Sequence, residues 1–334
     1  MTLKIGINGL GRIGRMIIRT IIESKNKNIE IKHINNRSNS ETSCLLLKYD
    51  SVHGKFNADV KFNNNSLTIN KNKISFSQES DINNIKWKKF GVDYVFECTG
   101  KFNSKEKLLG HIKNGAKKII VSAPCENADK TIAYGINHKS INKDDLIISA
   151  ASCTTNCLAP VAYVLNKKFK IEKGFMTTIH SYTSDQRLLD NSHKDLRRAR
   201  SAGQSMVPTS TGASKALGEI IPELKGKLEG LAIRVPTPNV SLVDLVFNSK
   251  YKLSIKKINE SFKKSSKKEL KNVLEVTEEK LVSIDFNHNP NSAIVDLSLT
   301  NVVGNNMGKV SAWYDNEWGF ASRMCDLAEY IHKI

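Results

Sequence analysis

The feature that most constrains this chain is a glycine pattern between a predicted strand and a predicted helix near the N-terminus. Residues 3–8 alternate apolar and polar side chains, as a strand does, and Gly9, Gly11 and Gly14 follow at once as G-x-G-x-x-G. Apolar side chains with helical spacing then occupy residues 13–24. In such a unit the first glycine permits a tight turn, the second lets the backbone approach a pyrophosphate, and the third lets the helix pack on the strand. The pattern predicts a dinucleotide-binding unit with the phosphates at the helix N-terminus.

The residues after the second predicted strand bear on which dinucleotide binds. Residues 29–34 predict this strand, and an NAD-selective site has an Asp or Glu near its end, about 20 residues after the glycines, for the ribose 2′-hydroxyl. This chain has Asn36 there, followed by Arg37 and Ser38. The carboxylate that repels a 2′-phosphate is missing, and Arg and Ser side chains bind phosphate well. These residues favour NADP or use of both cofactors, although an Arg in a loop is also often simply solvated.

Strands and helices continue to alternate through the first half of the chain. Residues 92–100, 118–123 and 146–151 predict strands, and residues 105–114 predict a helix. This alternation is typical of an open parallel sheet, whose cofactor lies across the carboxyl ends of the strands. Because the last of these strands leads directly to Cys153, we expect that thiol at the same edge, beside the nicotinamide.

The pattern changes after Cys153. Long alternating stretches appear without regular helices between them, and we expect strands at residues 175–180, 228–235, 240–247, 281–286, 293–299 and 309–314. They predict a second, α+β domain with a mostly antiparallel sheet. The predicted fold class is therefore α/β. A dinucleotide-binding domain spans residues 1–152 and is completed by a C-terminal helix at 317–334, and the second domain spans residues 153–316.

Cys153 lies where a predicted strand meets a predicted helix. Unpaired backbone N–H groups and the helix dipole favour negative charge there, which is expected to lower the pKa of the thiol and make it a nucleophile. An isolated cysteine in such a place is more often a small buried apolar residue. His180 stands at a predicted strand end, before a polar loop, and offers a proton acceptor.

With a bound nicotinamide, these two residues predict one class of reaction. The thiolate adds to an aldehyde, His180 takes the hydroxyl proton, a hydride leaves for the cofactor, and water or phosphate releases the acyl group from the thioester. Release by phosphate needs an anion site, for which hydroxyls, a helix N-terminus and Arg side chains are suited. The candidates are Ser152, Thr154, Thr211, Gly212, Arg198 and Arg234.

Composition and cysteine usage limit the partners, the metal sites and the cellular compartment that we expect for this chain. The chain of 334 residues has 51 Lys and Arg against 33 Asp and Glu, a formal charge of +18 that suits anionic substrates or a nucleic acid. The lysines spread along the whole chain without a nucleic-acid-binding motif, so nucleic acid is not favoured. The six Cys form neither a disulfide framework nor a Cys-x-x-Cys pair, so no metal is expected. Without an export signal or a membrane-spanning stretch, we expect a cytoplasmic protein.

Several segments carry a resemblance to a known family. They are residues 6–15, 47–54, 150–160 with Ser152-Cys153-Thr154-Thr155-Asn156, 177–183, 193–200, 211–215, 233–239 and 313–319. Over essentially its full length the chain resembles the phosphorylating glyceraldehyde-3-phosphate dehydrogenases. The resemblance implies a Rossmann-type domain, a catalytic domain and a homotetramer. It also implies the reversible conversion of glyceraldehyde 3-phosphate and inorganic phosphate to 1,3-bisphosphoglycerate with NAD or NADP, in glycolysis or gluconeogenesis.

The resemblance assigns roles to the site residues. It makes Cys153 the nucleophile and His180 its activating partner, with Thr183 and Arg234 on the substrate's own phosphate. The attacking inorganic phosphate would be held by Ser152, Thr154, Thr211 and Gly212, with Arg198 close by. The cofactor residues would be Arg12 and Ile13 at the pyrophosphate, Ser122 on the ribose side and Asn316 at the nicotinamide amide, together with Asn8, Gly9, Gly11, Gly14, Asn36, Arg37 and Ser192.

The chain also departs from the family pattern. Asn36 replaces the usual acid of NAD-specific members, and Ser80 replaces an Arg near the adenine. Ser192 stands where those members commonly have Pro, and is similar to NADP-using photosynthetic members, whose loop reaches a neighbouring subunit's adenosine. Asn36 and Ser192 agree in favouring NADP or dual use. A sister family, erythrose-4-phosphate dehydrogenase, shares residues 285–288, but residues 211–216 and 236–239 resemble the glyceraldehyde enzyme.

Overall fold

The computed structural model describes residues 2–334, which divide into two compact units. The first contains the residues up to Tyr134, residues 138–152 and residues 321–334, and the second contains residues 135–137 and 153–320. Among the described residues, no helix is both long and apolar enough to cross a bilayer.

The first unit is built on a sheet that has nine strands among residues 2–334. In chain order the strands are β1 (Leu3–Asn8), β2 (Ile29–Asn35), β3 (Tyr49–Asp50), β4 (Gly54–Lys55), β5 (Val60–Asn63), β6 (Ser66–Ile69), β7 (Asn72–Ser77), β8 (Tyr94–Glu97), β9 (Lys118–Val121), β10 (Lys130–Thr131) and β11 (Ile147–Ser149), of which β3 and β4 form a separate pair. The spatial order is β10-β11-β9-β8-β1-β2-β7-β6-β5, parallel from β10 to β7 and antiparallel beyond. The predicted parallel sheet is confirmed, and the carboxyl ends of β1, β2, β8 and β9 share one edge.

The helices follow the apolar spacing of the sequence. In chain order they are α1 (Arg12–Glu23), α2 (Ser40–Lys48), α3 (Lys105–Lys113), α4 (Cys153–Phe169), α5 (Ala213–Ile220), α6 (Ile255–Lys267) and α7 (Trp318–Lys333). α1 buries Met16, Ile17 and Ile21, because residues three to four apart share one helix face. The part of α7 in the first unit is held by Glu329, whose Oε1 accepts a 2.6 Å hydrogen bond from Asn26 Nδ2.

His33 is a buried titratable residue of β2. Its ring stacks on Phe90 with 3.9 Å between ring centroids, and its two nitrogens lie 2.7 Å from Ser75 Oγ and 2.9 Å from Ser77 Oγ. Both serines belong to β7, the neighbour of β2 in the sheet. Burial lowers the pKa of His33 to about 4, so the folded protein holds this ring neutral.

We expect acid to destabilise the first unit through His33. The unfolded chain takes up this proton near pH 6.5 and the folded chain only near pH 4, so the stabilisation is complete above pH 6.5 and is lost as pH falls towards 4. The shift corresponds to about 2 kcal/mol of unfolding free energy lost between pH 7 and pH 5. Urea denaturation at both pH values should show a loss about 2 kcal/mol smaller in His33→Gln than in the wild type. Equal losses in the two proteins would contradict this assignment.

The second unit is built on a sheet that has seven strands among the described residues, in the order β13-β14-β12-β15-β18-β17-β16. Its strands are β12 (Ile171–Ser181), β13 (Val207–Ser210), β14 (Leu228–Val235), β15 (Ser241–Ser249), β16 (Leu274–Thr277), β17 (Ala293–Val303) and β18 (Met307–Tyr314). Only the β12–β14 and β16–β17 pairs are parallel in this part of the described chain. The prediction of a mostly antiparallel sheet is confirmed.

The strand predicted over residues 281–286 is wrong. Ser283–Phe286 form a 3₁₀ turn, in which the carboxylate of Asp285 accepts a 2.8 Å hydrogen bond from the Val282 N–H. A bond between a short side chain and a nearby N–H competes with the pairing of a strand. Val282 and Ile284 are exposed, so the alternation of apolar residues here does not indicate a buried face of a strand.

The prediction that regular helices are absent between these strands is also wrong. α5 and α6 lie there, and α6 buries Ile258 and Phe262 one turn apart. Ser254 caps α6 by accepting a 3.3 Å hydrogen bond from the Lys257 N–H. Five of the 13 residues of α6 are Lys and its third apolar residue, Ile255, is exposed, so the sequence shows only a narrow apolar stripe.

Candidate active site

A cavity of about 590 Å³ lies at the carboxyl edge of the parallel sheet in the first unit. Its walls are residues that end or follow β1, β2, β7 and β8. Of the residues predicted to bind the cofactor, it contains Asn8, Gly9, Gly11, Asn36 and Arg37, and the other lining residues are Asn35, Ser38, Glu79, Ser80, Ile82, Cys98, Thr99, Lys101 and Phe102. The sheet therefore gathers separate segments of the sequence into one binding cavity.

The three glycines have the geometry that a dinucleotide phosphate requires. Gly9 has a φ of 94°, a region that L side chains rarely adopt. A Cβ on Gly14 would lie 2.1 Å from the Gly9 carbonyl oxygen, so a side chain there would push α1 away from the turn. A Cβ on Gly11 would meet nothing within 4 Å, which leaves that backbone open to a ligand. The turn, the open backbone and the close helix packing all fit a bound pyrophosphate.

Asn36 braces the cavity wall at the end of β2. Its Oδ1 accepts a 3.2 Å hydrogen bond from the Leu10 N–H, and its Nδ2 donates a 3.0 Å hydrogen bond to Ser43 Oγ. Arg37 and Ser38 are exposed beside it. Asn36 thus shapes the turn, while Arg37 and Ser38 are the side chains free to face a ligand.

The sequence analysis missed a carboxylate in this cavity, that of Glu79. This residue follows β7, and the side chain of Asn35 holds its backbone at both ends, through Glu79 N at 2.9 Å and Glu79 O at 3.0 Å. The Glu79 side chain is exposed. The wall formed by the ends of β2 and β7 therefore carries one cation, Arg37, and one anion, Glu79.

A buried network holds Asn8 from beneath the cavity. Its Nδ2 donates to Glu97 Oε2 at 2.6 Å, and its Oδ1 accepts from Asn35 Nδ2 at 2.8 Å. The same Glu97 oxygen lies 3.1 Å from His111 Nε2, and Trp87 Nε1 donates to His111 Nδ1 at 2.9 Å. Because Nδ1 accepts, the imidazole proton is on Nε2 and is donated to Glu97. A Glu at the end of an apolar strand is the sequence signal for this network.

In the second unit, Cys153 and His180 lie side by side. α4 begins at Cys153, and β12 ends one residue after His180. Cys153 Sγ is 3.5 Å from His180 Nε2, and His180 Nδ1 is 2.7 Å from the Ser181 carbonyl oxygen. The bond to the Ser181 carbonyl, which only accepts, requires the proton on Nδ1, and in that tautomer Nε2 is the acceptor that faces the thiol.

Burial determines the charge state of this pair. Burial raises the pKa of the Cys153 thiol, while Arg234 and hydrogen bonds at Thr154 act to lower it. The lowered pKa predicted from the helix terminus is therefore wrong, because desolvation of the thiolate outweighs these favourable charges. Burial, together with Arg234 and Arg198, lowers the pKa of His180 to about 3. The resting pair is a neutral thiol and a neutral imidazole.

Arg234 lies beside His180, in register with it on the neighbouring strand β14. Its Nη1 is 2.9 Å from His180 Nδ1 and donates a 3.0 Å hydrogen bond to the Ser181 carbonyl. Within residues 2–334, Arg234 Nε is a buried donor that has no hydrogen-bond partner. A half-buried cation with an unused, buried Nε donor suits an anionic ligand.

Comparison with known proteins identifies the family. Residues 3–105 match the family model described as "Glyceraldehyde 3-phosphate dehydrogenase, NAD binding domain", and residues 152–316 match the one described as the C-terminal domain of the same enzyme. This chain belongs to the glyceraldehyde-3-phosphate dehydrogenase family. It is 50% identical to glyceraldehyde-3-phosphate dehydrogenase of Cereibacter sphaeroides and 49% identical to that of Xanthobacter flavus, in each case over 100% of both chains. It is 49% identical to that of Geobacillus stearothermophilus, over 99% of this chain and 98% of the relative.

The resemblance inferred from the sequence is thus confirmed, and the erythrose 4-phosphate alternative has no support from these relatives. Arg12 and Ile13, which were predicted to contact the cofactor pyrophosphate, lie at the start of α1. Arg12 forms an ion pair with Asp50, while Ile13 is half-buried. Burial would raise the pKa of Asp50, but Arg12 and two backbone N–H groups hold it well below its usual range. Ser122 directly follows β9 at the carboxyl edge of the sheet. It is not one of the described residues that line the cavity.

The hydroxyls predicted to bind inorganic phosphate occupy two helix starts. Thr154 is in the first turn of α4, and its Oγ1 shares a 2.9 Å hydrogen bond with the hydroxyl of Tyr314, which the sequence analysis missed. Thr211 and Gly212 directly precede α5, and Thr211 Oγ1 accepts a 3.3 Å hydrogen bond from Ala213 N. α5 packs on α4. Ser152 directly precedes Cys153 in the chain.

The predicted phosphate ligands of the loop after β12 make local contacts. Arg198 forms an ion pair with Asp185, and its Nε donates a 3.0 Å hydrogen bond to Thr209 Oγ1. Thr183 donates its backbone N–H to Gln186 Oε1 at 3.4 Å. Arg198 therefore differs from Arg234, since a carboxylate already neutralises its charge.

Asn316 and Ser192 occupy different surroundings in the second unit. Asn316 is buried after β18, and its Oδ1 accepts 2.9 Å hydrogen bonds from Ser181 Oγ and Ser241 Oγ. Its Nδ2 is consequently the group left to donate to a ligand. Ser192 is exposed in the loop after β12, and its N–H donates a 2.7 Å hydrogen bond to Asn191 Oδ1.

Proposed function

We propose that this chain catalyses the reversible oxidative phosphorylation of glyceraldehyde 3-phosphate to 1,3-bisphosphoglycerate, with NAD or NADP as the hydride acceptor. The observation that carries the proposal is the 3.5 Å contact between Cys153 Sγ and His180 Nε2, with the Arg234 guanidinium against the same imidazole. A thiol, a proton acceptor and a cation at one place are what addition to a phosphorylated aldehyde requires. Relatives with 49–50% identity over nearly the whole chain bear this enzyme's name.

The chain's own residues supply the proton transfers. As Cys153 Sγ bonds to the aldehyde carbon, its proton passes to His180 Nε2 and then to the carbonyl oxygen, which gives a thiohemiacetal. His180 Nε2 next takes that hydroxyl proton, so the C–O double bond forms as the hydride departs. A nicotinamide cofactor, when bound, would supply the hydride acceptor. Arg234 offsets the negative charge on sulfur and oxygen, and the Ser181 carbonyl keeps the acceptor nitrogen of His180 towards the thiol.

Phosphate completes the reaction by attack on the thioester carbon, which expels the Cys153 thiolate and forms the acyl phosphate. We assign Ser152, Thr154, Thr211 and Gly212, with Arg198, to the attacking phosphate. Thr183 and Arg234 are assigned to the substrate's own phosphate. The unused buried donor of Arg234 supports the second assignment, and the start of α5 supports the first.

Initial rates of cofactor reduction test the function. The wild-type chain should reduce NAD or NADP with glyceraldehyde 3-phosphate only when inorganic phosphate is also present. Arsenate should replace phosphate, because it attacks the same thioester. Phosphate-independent turnover, or a preference for erythrose 4-phosphate, would contradict the proposal.

The cofactor site accepts NADP, alone or beside NAD, in this proposal. Asn36 places no charge at the end of β2, and Arg37 and Ser38 are exposed at the cavity wall. The negative charge of Glu79 offsets the positive charge of Arg37 at the same wall of the cavity. This favours use of both NAD and NADP over strict selectivity for NADP. Ser192 belongs to the proposal through the resemblance to NADP-using members. A wild-type preference for NAD of more than about tenfold would refute it.

Asn36→Asp is expected to shift the ratio of kcat/KM values from NADP towards NAD by at least about tenfold, or ~1.4 kcal/mol. The carboxylate can still accept from the Leu10 N–H and from the Ser43 hydroxyl, so the turn is kept while a negative charge faces a 2′-phosphate. Asn39→Asp is the matched control, because it adds the same charge three residues away and remains a good cap for α2. An equal shift in both variants would mean that general charge, not position 36, selects the cofactor.

A homotetramer in the cytoplasm completes the proposal. The loop between β12 and β13 exposes Leu188, Leu189, Leu196 and Met206 to 84%, 73%, 82% and 73%. Large apolar side chains exposed on one loop are typical of protein contacts, and subunit association would cover them. All six cysteines are free thiols among the described residues, which suits a reducing compartment.

A further inference from the structure

We propose that Ser241 and Ser181 are positioning residues that orient the amide of Asn316 and thereby set how tightly the nicotinamide is held. The inference rests on the proposed function, because the family resemblance assigns Asn316 to the nicotinamide amide. Neither serine was singled out by the sequence, since their partner lies 75 and 135 residues away.

The two hydroxyls converge on one atom. Ser241 Oγ and Ser181 Oγ both lie 2.9 Å from Asn316 Oδ1. Ser241 Oγ also accepts a 3.1 Å hydrogen bond from the Ser181 N–H, which directs its own proton towards Asn316. If the amide were flipped, both hydroxyl protons would lose their acceptor in a buried place. The network therefore fixes the oxygen inward and leaves Nδ2 as the donor for a ligand.

Burial makes the hydrogen bonds to Asn316 Oδ1 difficult for water to replace. Ser181, Ser241 and Asn316 are exposed to only 0%, 1% and 6%, so water does not readily replace a missing hydroxyl. With Nδ2 presented, Asn316 recognises the carbonyl oxygen of a carboxamide, and with Oδ1 presented it would recognise the amino group instead. Loss of one hydroxyl therefore weakens the preference for the orientation that presents Nδ2.

Ser241 is the better of the two residues to test. Ser181 also accepts the His180 Nδ1–H through its carbonyl oxygen, so a change there touches the proton acceptor as well. The hydrogen bonds of the Ser241 hydroxyl go to Asn316 and to the Ser181 N–H. A change at Ser241 therefore separates cofactor binding from the reactivity of the thiol.

We expect Ser241→Ala to raise the Kd and KM of the preferred cofactor about fivefold, the ratio for one net hydrogen bond. Direct titration with NAD and NADP measures the Kd without turnover. The rate at which iodoacetamide alkylates Cys153 should stay at the wild-type value. Ser249→Ala is the matched control, because Ser249 is equally buried on the same strand but donates to the Phe169 carbonyl oxygen at 2.7 Å. It should lose stability and keep the wild-type Kd.

A double-mutant cycle tests whether Ser241 acts through Asn316. Ser241→Ala should change the Kd less than about twofold when Asn316→Ala is already present. An unchanged Kd in Ser241→Ala, or a full effect in the Asn316→Ala background, would overturn the proposal. If Ser241→Ala does not fold, Ser241→Cys keeps the volume with a weaker donor and should raise the Kd by a smaller factor. Absence of phosphate-dependent turnover in the wild type would instead refute the proposed function, and the Kd series would be unaffected by it.

Discussion

Cys153→Ser is expected to lower kcat/KM for oxidation of glyceraldehyde 3-phosphate by at least about 10⁴-fold. The hydroxyl that replaces the thiol is a far weaker acid, and it faces a neutral His180 whose pKa is about 3. Burial already raises the pKa of the thiol, so even Cys153 gives up its proton only as the carbon–sulfur bond forms. Initial rates with phosphate and the preferred cofactor measure the loss.

Cys157→Ala is the matched control for this variant. Cys157 lies one turn further along α4, is fully buried, and has its Sγ 3.8 Å from the Ala312 carbonyl oxygen. Burial and the neighbouring Cys153 raise the pKa of Cys157 well above its usual value, so it should not react. Cys157→Ala should keep the wild-type activity and the wild-type rate of alkylation by iodoacetamide, whereas Cys153→Ser should lose both. Substantial turnover in Cys153→Ser would mean that the nucleophile lies elsewhere.

His180→Asn is expected to lower kcat by about 10²–10⁴-fold, the range for loss of a positioned general base. The Asn side chain can still donate to the Ser181 carbonyl, but no acceptor replaces Nε2 near Cys153. Without that acceptor the thiol must ionise alone. Because burial raises the pKa of this thiol, the alkylation rate of Cys153 in the variant should depend more steeply on pH than in the wild type, where His180 accepts the proton.

The control is His138→Asn, at a half-buried histidine of the first unit that has no role in the proposal. Its kcat and alkylation profile should match the wild type. An alkylation profile of His180→Asn identical to that of the wild type would show that His180 does not accept the thiol proton.

Local patterns in the chain were enough to specify much of this protein. Gly9, Gly11 and Gly14 specify a tight turn, an open backbone and a close helix contact, because each requirement acts within a few residues. The alternation of strands and helices up to residue 151 follows from apolar periodicity, which is also a local property. The positions of Cys153 at a helix start and of His180 near a strand end follow for the same reason.

Contacts between distant segments decided the rest, because charge state and partner choice depend on what surrounds a side chain. Desolvation, which no local pattern records, reversed the expected shift in the pKa of Cys153. Glu79 enters the cofactor cavity only because β7 pairs with β2, and Asp50 reaches Arg12 across 38 residues. Ser241 meets Asn316 because the second sheet places β15 beside β18. The sequence determined which groups are available for chemistry, and the tertiary structure determined which of them meet and in what protonation state.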